Sequence, residues 1–145
     1  DPGGLQEAPT RFITEEAMRF VGGGAGRGNR YEGILLDPPK YGRGPKGERW
    51  RIESDLLPMM QACRGLLSET PLFLLLTIYA IRASSQAAHF AMADIVAALG
   101  GEVTSGELVI AEDPPVRTRT VKTKADEAIS PRVISQANFA RWTPF

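Results

Sequence analysis

The chain has 145 residues, 43% of them apolar and 23% charged, which fits one globular domain with a real core. Lys+Arg and Asp+Glu both number 17, so net charge excludes a strongly polyanion-seeking protein and leaves room only for a local basic patch. One such patch is present in the sequence: Arg117, Arg119, Lys122 and Lys124, with no acid among them.

Cys63 is the single cysteine, so no intrachain disulfide and no cysteine cluster for zinc can form, and a reducing, cytoplasmic setting is favoured. The longest apolar run, Pro71 to Ile78, is too short to span a bilayer. Asp1-Pro2-Gly3-Gly4 offers no signal peptide, and these residues read as a loop entering a strand rather than as a natural beginning.

Arg11-Phe12-Ile13 is a short strand candidate, and Thr14 is placed to cap the helix that follows. Glu15 and Glu16 would sit in that helix's positively polarised first turn, and Ala17, Phe20 and Val21 would face inward. Gly22 to Gly28 should end it, since glycine loses most backbone entropy in a helix. Tyr31 to Asp37 reads as a strand that turns wholly apolar before an acid and two prolines stop it. Residues 40–52 read as a basic, glycine-rich loop containing Trp50, followed by a helix from about Asp55 to Leu67 with Ser54 as cap. Pro58 would fall where amides lack helical partners anyway. Leu56, Met60, Cys63 and Leu67 make its core-facing stripe.

Residues 72–79 form the strongest strand, apolar on both faces as a central strand requires. A helix starting at Ser84 or Ser85 presents Ala88, Met92, Ile95, Val96 and Leu99 on one face, with Gly100-Gly101 beyond its end. Leu108 to Ala111 is a further strand. Residues 112–132 read as a long, flexible, basic loop, and Val133 to Trp142 as a last strand antiparallel to the one before. The alternation predicts an α/β fold: a Rossmann-like, doubly wound, mostly parallel sheet with an antiparallel C-terminal strand.

Ligands of open α/β sheets bind beyond the carboxyl ends of the strands, where Asp37-Pro38-Pro39-Lys40 falls. The prolines stiffen that turn and leave carbonyls free to accept hydrogen bonds; a plain strand-ending turn is the alternative reading. Gly42-x-Gly44-x-x-Gly47 matches a dinucleotide fingerprint as a bare pattern, but no helix opens after it, and Gly22 to Gly28 lies in the reverse of a phosphate-binding context. Cys63 lies on a core stripe, His89 shares a face with Gln86, and no catalytic or metal-ligand spacing links them.

The segment Tyr31 to Trp50, YEGILLDPPKYGRGPKGERW, resembles the fourth motif and following loop of class I S-adenosylmethionine-dependent methyltransferases, nearest to the bacterial ribosomal RNA large-subunit group. The likeness continues through Thr14 to Met18, the strand at 72–79 and Phe139-Ala140-Arg141-Trp142. It implies that Glu16 accepts a hydrogen bond from the cofactor's adenine amino group and that Asp37 sits beside its methionine end and the target base. It also implies that Pro38, Pro39 and Lys40 shape the base pocket and that Tyr41 stacks on the base. Arg43, Lys46, Arg49 and Trp50 would contact the polymer; a merely solvated basic loop is the alternative.

The family's cytosine-C5 branch carries a cysteine where this chain has Thr77-Ile78-Tyr79-Ala80, so the resemblance implies transfer to a nitrogen instead. It further implies that the family's first two strands, with the glycine-rich cofactor turn and the ribose-binding acid, are absent from these residues. The strand at 31–37 would then present an open edge, to be completed by an N-terminal half or a second chain. Three functions stay open: methyl transfer to an RNA base, a non-catalytic half-domain that binds RNA or a partner, and, on architecture alone, a nicotinamide oxidoreductase.

Overall fold

The computed structural model describes residues 8–44, 46–79, 81–112 and 133–145. Expectations for Asp1 to Gly4, for the basic patch at Arg117 to Lys124 and for nearly all of the 112–132 loop fall outside those residues.

Helix α1 spans Ala17–Gly26 and is followed by strand β1, Gly33–Leu36. Strands β2, Tyr41–Arg43, and β3, Arg49–Arg51, come next, then helix α2, Ile52–Arg64, and strand β4, Phe73–Ile78. Helix α3, Ser85–Val96, continues as a 3-10 turn, Ala97–Leu99, into β5, Glu102–Ala111, and the chain closes with β6, Val133–Thr143. The main sheet has the order β1-β4-β6-β5. Parallel pairing of β1 with β4, and antiparallel pairing of β6 with both β4 and β5, make β1, β4 and β5 point one way and β6 against them. The antiparallel ending is as read from the sequence; its insertion between β4 and β5 was not legible there.

The register sorts the sheet into two faces. Leu74, Leu76 and Ile78 of β4 stand with their β6 partners Trp142, Ala140 and Asn138, and all the apolar members of that set are buried. They join one cluster with Val21 of α1, Ile52, Met59, Met60 and Cys63 of α2, and Ala88, Met92, Ile95 and Val96 of α3. The buried sides of all three helices thus meet a single face, whereas a doubly wound sheet would carry helices on both. On the other face Leu35 is exposed, and Leu75, Thr77 and Phe139 are only half-buried.

Several local expectations are corrected. Arg11-Phe12-Ile13 is not a strand: no described strand lies beside it to supply ladder hydrogen bonds, and Phe12 is 93% exposed. The cap of α1 is Glu16, not Thr14. The helix also runs on through Gly22, Gly23 and Gly24 to Gly26, because tertiary contact outweighs glycine's poor propensity. Gly24 is buried there, with Leu66 methyls at van der Waals distance from where a Cβ would stand.

Residues 40–52 are not an irregular loop but the β2–β3 hairpin, which leads directly into α2. Helix α2 therefore starts at Ile52, so Ser54 lies inside it and Pro58 lies beyond its first turn, where it removes a main-chain donor. Asp55 serves the N-terminus instead, its Oδ2 accepting from Arg51 N at 2.7 Å. Strand β5 begins six residues earlier than Leu108 and carries a register shift between Leu108 and Val109. His89, on the face it shares with Gln86, is half-buried, with its Nδ1 3.3 Å from Ser105 Oγ on β5.

Candidate functional site

Asp37 follows the last residue of β1, at the end of the sheet toward which β1, β4 and β5 all point. A cavity of about 880 Å³ opens there. Its wall is built from three parts of the chain: Ile13 to Met18 with Phe20 and Val21, then Leu35 to Pro39, then the hairpin with Asp55, Pro58 and Met59 of α2 behind it. That size lies within the range of small-molecule sites, roughly 300–1,000 Å³.

Glu16 reaches the cavity as a capping residue. Its Oε1 accepts from Met18 N at 3.0 Å and its Oε2 from Arg19 N at 2.8 Å, which fixes the carboxylate at the positive end of α1. Each oxygen retains a second lone pair for another donor. Glu15, on the same wall, lies 3.5 Å from Arg19 in an exposed i,i+4 pair that adds little.

Asp37 is held from β4. The Thr77 hydroxyl donates to Asp37 Oδ1 and lies 3.4 Å from the Leu36 carbonyl. The register explains the meeting: Leu36 pairs with Leu76, so Asp37 emerges beside Thr77. Oδ2 of Asp37 has no hydrogen-bond partner among the described residues. Sequence reasoning noticed Thr77 only as the place where a cysteine is missing, and its role depends on strand register, which sequence spacing does not reveal.

The turn after Asp37 is less free than its prolines suggest. Trp50 Nε1 donates to the Pro39 carbonyl at 2.6 Å, and Ile52 N donates to the Lys40 carbonyl at 3.0 Å. The expectation of free carbonyls therefore fails at these two positions, because the hairpin folds back over the turn.

Alternation in the hairpin sorts its residues by face. Tyr41, Arg43, Arg49 and Arg51 are exposed, with Arg43 directly opposite Arg49 and Tyr41 opposite Arg51. Gly42 and Trp50 lie on the inner face, and Trp50 packs against the core. No ion pair joins Arg43, Arg49 or Arg51 to an acid among the described residues. At the hairpin's tip Glu48 Oε2 accepts from Lys46 N at 2.9 Å, and Gly44 N donates to the Glu48 carbonyl at the same distance. Hydrogen bonds from its own amide and that of Lys46 hold the Glu48 carboxyl below its usual range. Gly47 at the tip has φ +88°, which glycine adopts without strain.

Of the residues singled out from sequence, the cavity wall brings together Glu16, Asp37, Pro38, Pro39, Arg43, Arg49 and Trp50. Lys40, Tyr41 and Lys46 are exposed beside it and do not line it. Cys63 is a buried core thiol, pushed up to about 11 by burial, and takes no part in the site. No group of three His, Cys, Asp or Glu side chains among the described residues could hold a metal ion, and no helix among them is long and apolar enough to cross a membrane.

No protein-family model matches this chain, and no curated protein does. Among solved structures it is similar to an S-adenosylmethionine-dependent methyltransferase from Agrobacterium tumefaciens, with 42% identity and a TM-score of 0.82 over 98% of this chain and 42% of that one. It is also similar to SMU.776, a candidate methyltransferase solved with S-adenosylhomocysteine, with 15% identity and a TM-score of 0.50 over 90% of this chain and 31% of that one. The second likeness is one of fold alone. This chain thus spans less than half the length of either protein, and over that span it has the Rossmann-like α/β fold of a methyltransferase.

Proposed function

We propose that these residues are the substrate-side, C-terminal part of a methyltransferase domain that transfers a methyl group from S-adenosylmethionine to a nitrogen of a base in RNA. The observation that carries this reading is the convergence of Glu16, Asp37 and the Pro38-Pro39 turn on one cavity at the carboxyl end of β1. The 42% identity to a methyltransferase across nearly the whole chain supports it.

The residues present fit the cofactor's chemistry. The cavity is large enough for a nucleoside with its amino-acid tail, and the Glu16 carboxylate on its wall keeps lone pairs for an exocyclic amine. Glu16 and Asp37 would hold the cofactor, which supplies a methyl group on a positively charged sulfur. Asp37 would present Oδ2 to an N–H of the acceptor base while Thr77 keeps the carboxylate from turning. Asp37 Oδ2, or water, would take up the proton that the acceptor nitrogen gives up on receiving the methyl group the cofactor would supply. Orientation supplies most of the rate in such a transfer. Arg43 and Arg49 at the rim, with Lys46 and Tyr41 outside it, would receive the phosphates and neighbouring bases of the polymer.

One observation favours a second reading, a non-catalytic module that binds RNA or a partner chain. The outer edge of β1 has no partner strand among the described residues, and Leu35 on it is 60% exposed. The two readings part on a transfer assay. The natural chain containing these residues, given methyl-labelled S-adenosylmethionine and bacterial RNA, should label the RNA. Asp37→Ala should lower that labelling by at least about a hundredfold while leaving the melting temperature nearly unchanged. RNA binding without label transfer would favour the second reading. Calorimetry on residues 1–145 alone should show weak cofactor binding, because the family's glycine turn and ribose-binding acid are not among them.

A further inference from the structure

The two faces of the β2–β3 hairpin do different things, and Trp50 belongs to the inner one. It stands opposite Gly42 in the ladder, where a Cβ on Gly42 would meet Trp50 Cβ at 3.9 Å and Pro39 Cγ at 4.0 Å. Trp50, Gly42 and Pro39 therefore form one layer, and the indole N–H is committed to the Pro39 carbonyl at 2.6 Å.

The Asp37–Lys40 turn needs such a bond. Pro38 and Pro39 have no amide hydrogens, so the turn cannot brace itself with its own donors, and their rings fix φ but not ψ. The direction of the Pro39 carbonyl, and with it the path of the chain from Asp37, is set from outside. Three elements do this: β4 through Thr77 to Asp37, β3 through Trp50 to Pro39, and the start of α2 through Ile52 N to Lys40. Among the aromatic residues phenylalanine would fill the same layer but could not donate.

We propose that Trp50 is a positioning residue: its indole N–H fixes the Pro39 carbonyl and so locks the Asp37 turn to the hairpin whose outer face carries Arg43 and Arg49. Anything gripped by those arginines is then gripped by the same rigid unit that aims Asp37. A role for Trp50 as a platform for bases would draw on its ring face and not on its N–H, so removing the donor alone tells the two apart. The kinetic consequence rests on the methyl-transfer reading; the hydrogen bond and the locking do not.

The test is Trp50→Phe, which keeps an aromatic ring and loses only the donor. These 145 residues hold two tryptophans, and in a nitrogen–proton spectrum the indole signal lost in Trp50→Phe is that of Trp50. Its proton should exchange with solvent at least about tenfold more slowly than that of a free indole. In the natural chain containing these residues, Trp50→Phe should lower turnover about tenfold while the KM for RNA stays within about twofold. Unchanged turnover with a raised KM would identify a base-stacking role and overturn the proposal, as would wild-type values for both. If the wild-type chain transfers no methyl group, the functional reading fails and the indole proton alone decides. Exchange as fast as a free indole then sinks the locking role, and slow exchange sustains it.

Discussion

Gly33→Ala probes the close approach of β1 to β4. Gly33 pairs directly with Phe73, and a Cβ at position 33 would stand 2.6 Å from both Cε1 and Cζ of that ring. Atoms do not come that close, so either the ring must swing off the sheet or β1 must shift along its only described neighbour. Overpacking of this kind costs about 1–3 kcal/mol. Alanine also restricts the unfolded chain relative to glycine, which returns about 0.4–1 kcal/mol. The difference leaves a net loss of about 1–2 kcal/mol, or a fall of about 2–6 °C in melting temperature at this chain length. Urea denaturation followed by circular dichroism should show a lower midpoint with an unchanged slope. Phe73→Leu in the same background removes the obstructing ring edge, so the double variant should recover at least about half of the alanine penalty. A Gly33→Ala protein as stable as the parent, or two substitutions whose effects simply add, would refute the packing argument.

Leu76→Ala removes a fully buried side chain from the central strand and should cost about 2–5 kcal/mol in the same denaturation assay. Burial raises the Cys63 thiol from an ordinary value of 9.0 to about 11. Below pH 9 both folded and unfolded chains hold that proton; between pH 9 and 11 the unfolded chain releases it first, so stability falls as pH rises. The advantage of the wild type over Cys63→Ala should therefore shrink across that window by up to about 1.4 kcal/mol per pH unit, and a constant difference would contradict it. Thr77→Val preserves shape and deletes the donor to Asp37: methyl transfer should fall about tenfold while stability moves by no more than about 1.5 kcal/mol, measured by label incorporation and by urea.

What the sequence disclosed was set by periodicity. The run 72–79 and the stripe Ala88, Met92, Ile95, Val96 translate into β4 and the buried side of α3, because hydrophobic spacing and burial are the same fact seen twice, whereas Leu99, read on the same stripe, lies exposed in the 3-10 turn beyond the helix. Misjudged were the segments where a local preference meets a tertiary one. Glycines 22 to 24 argue against a helix locally, yet α1 continues through them because Val21 and Gly24 have a core to join. Residues 41–51, rich in glycine and arginine, lack the alternating apolar pattern of a strand, since only Trp50 of the hairpin faces inward with a large side chain.

The site shows the same division more sharply. Asp37 is recognisable because a carboxylate after a wholly apolar strand must sit at the sheet's end. Nothing in the spacing connects it to Thr77, forty residues on, or connects Trp50 to Pro39, eleven residues back. Both links exist because β1 is parallel to β4 and because the hairpin turns its even-numbered residues inward. Glu16 illustrates why residue type alone is an incomplete guide to role. The two bonds it makes to the start of α1 are what any capping acid would make, and the same bonds hold its remaining lone pairs on the cavity wall. A substitution that weakens the cap would therefore also loosen whatever Glu16 binds, so Glu16→Ala cannot separate the two roles. Glu16→Gln does not separate them fully either: its amide nitrogen cannot accept, so one of the two cap bonds is lost together with the charge offered to the cavity, and its stability cost should be smaller than that of Glu16→Ala but not zero in urea denaturation.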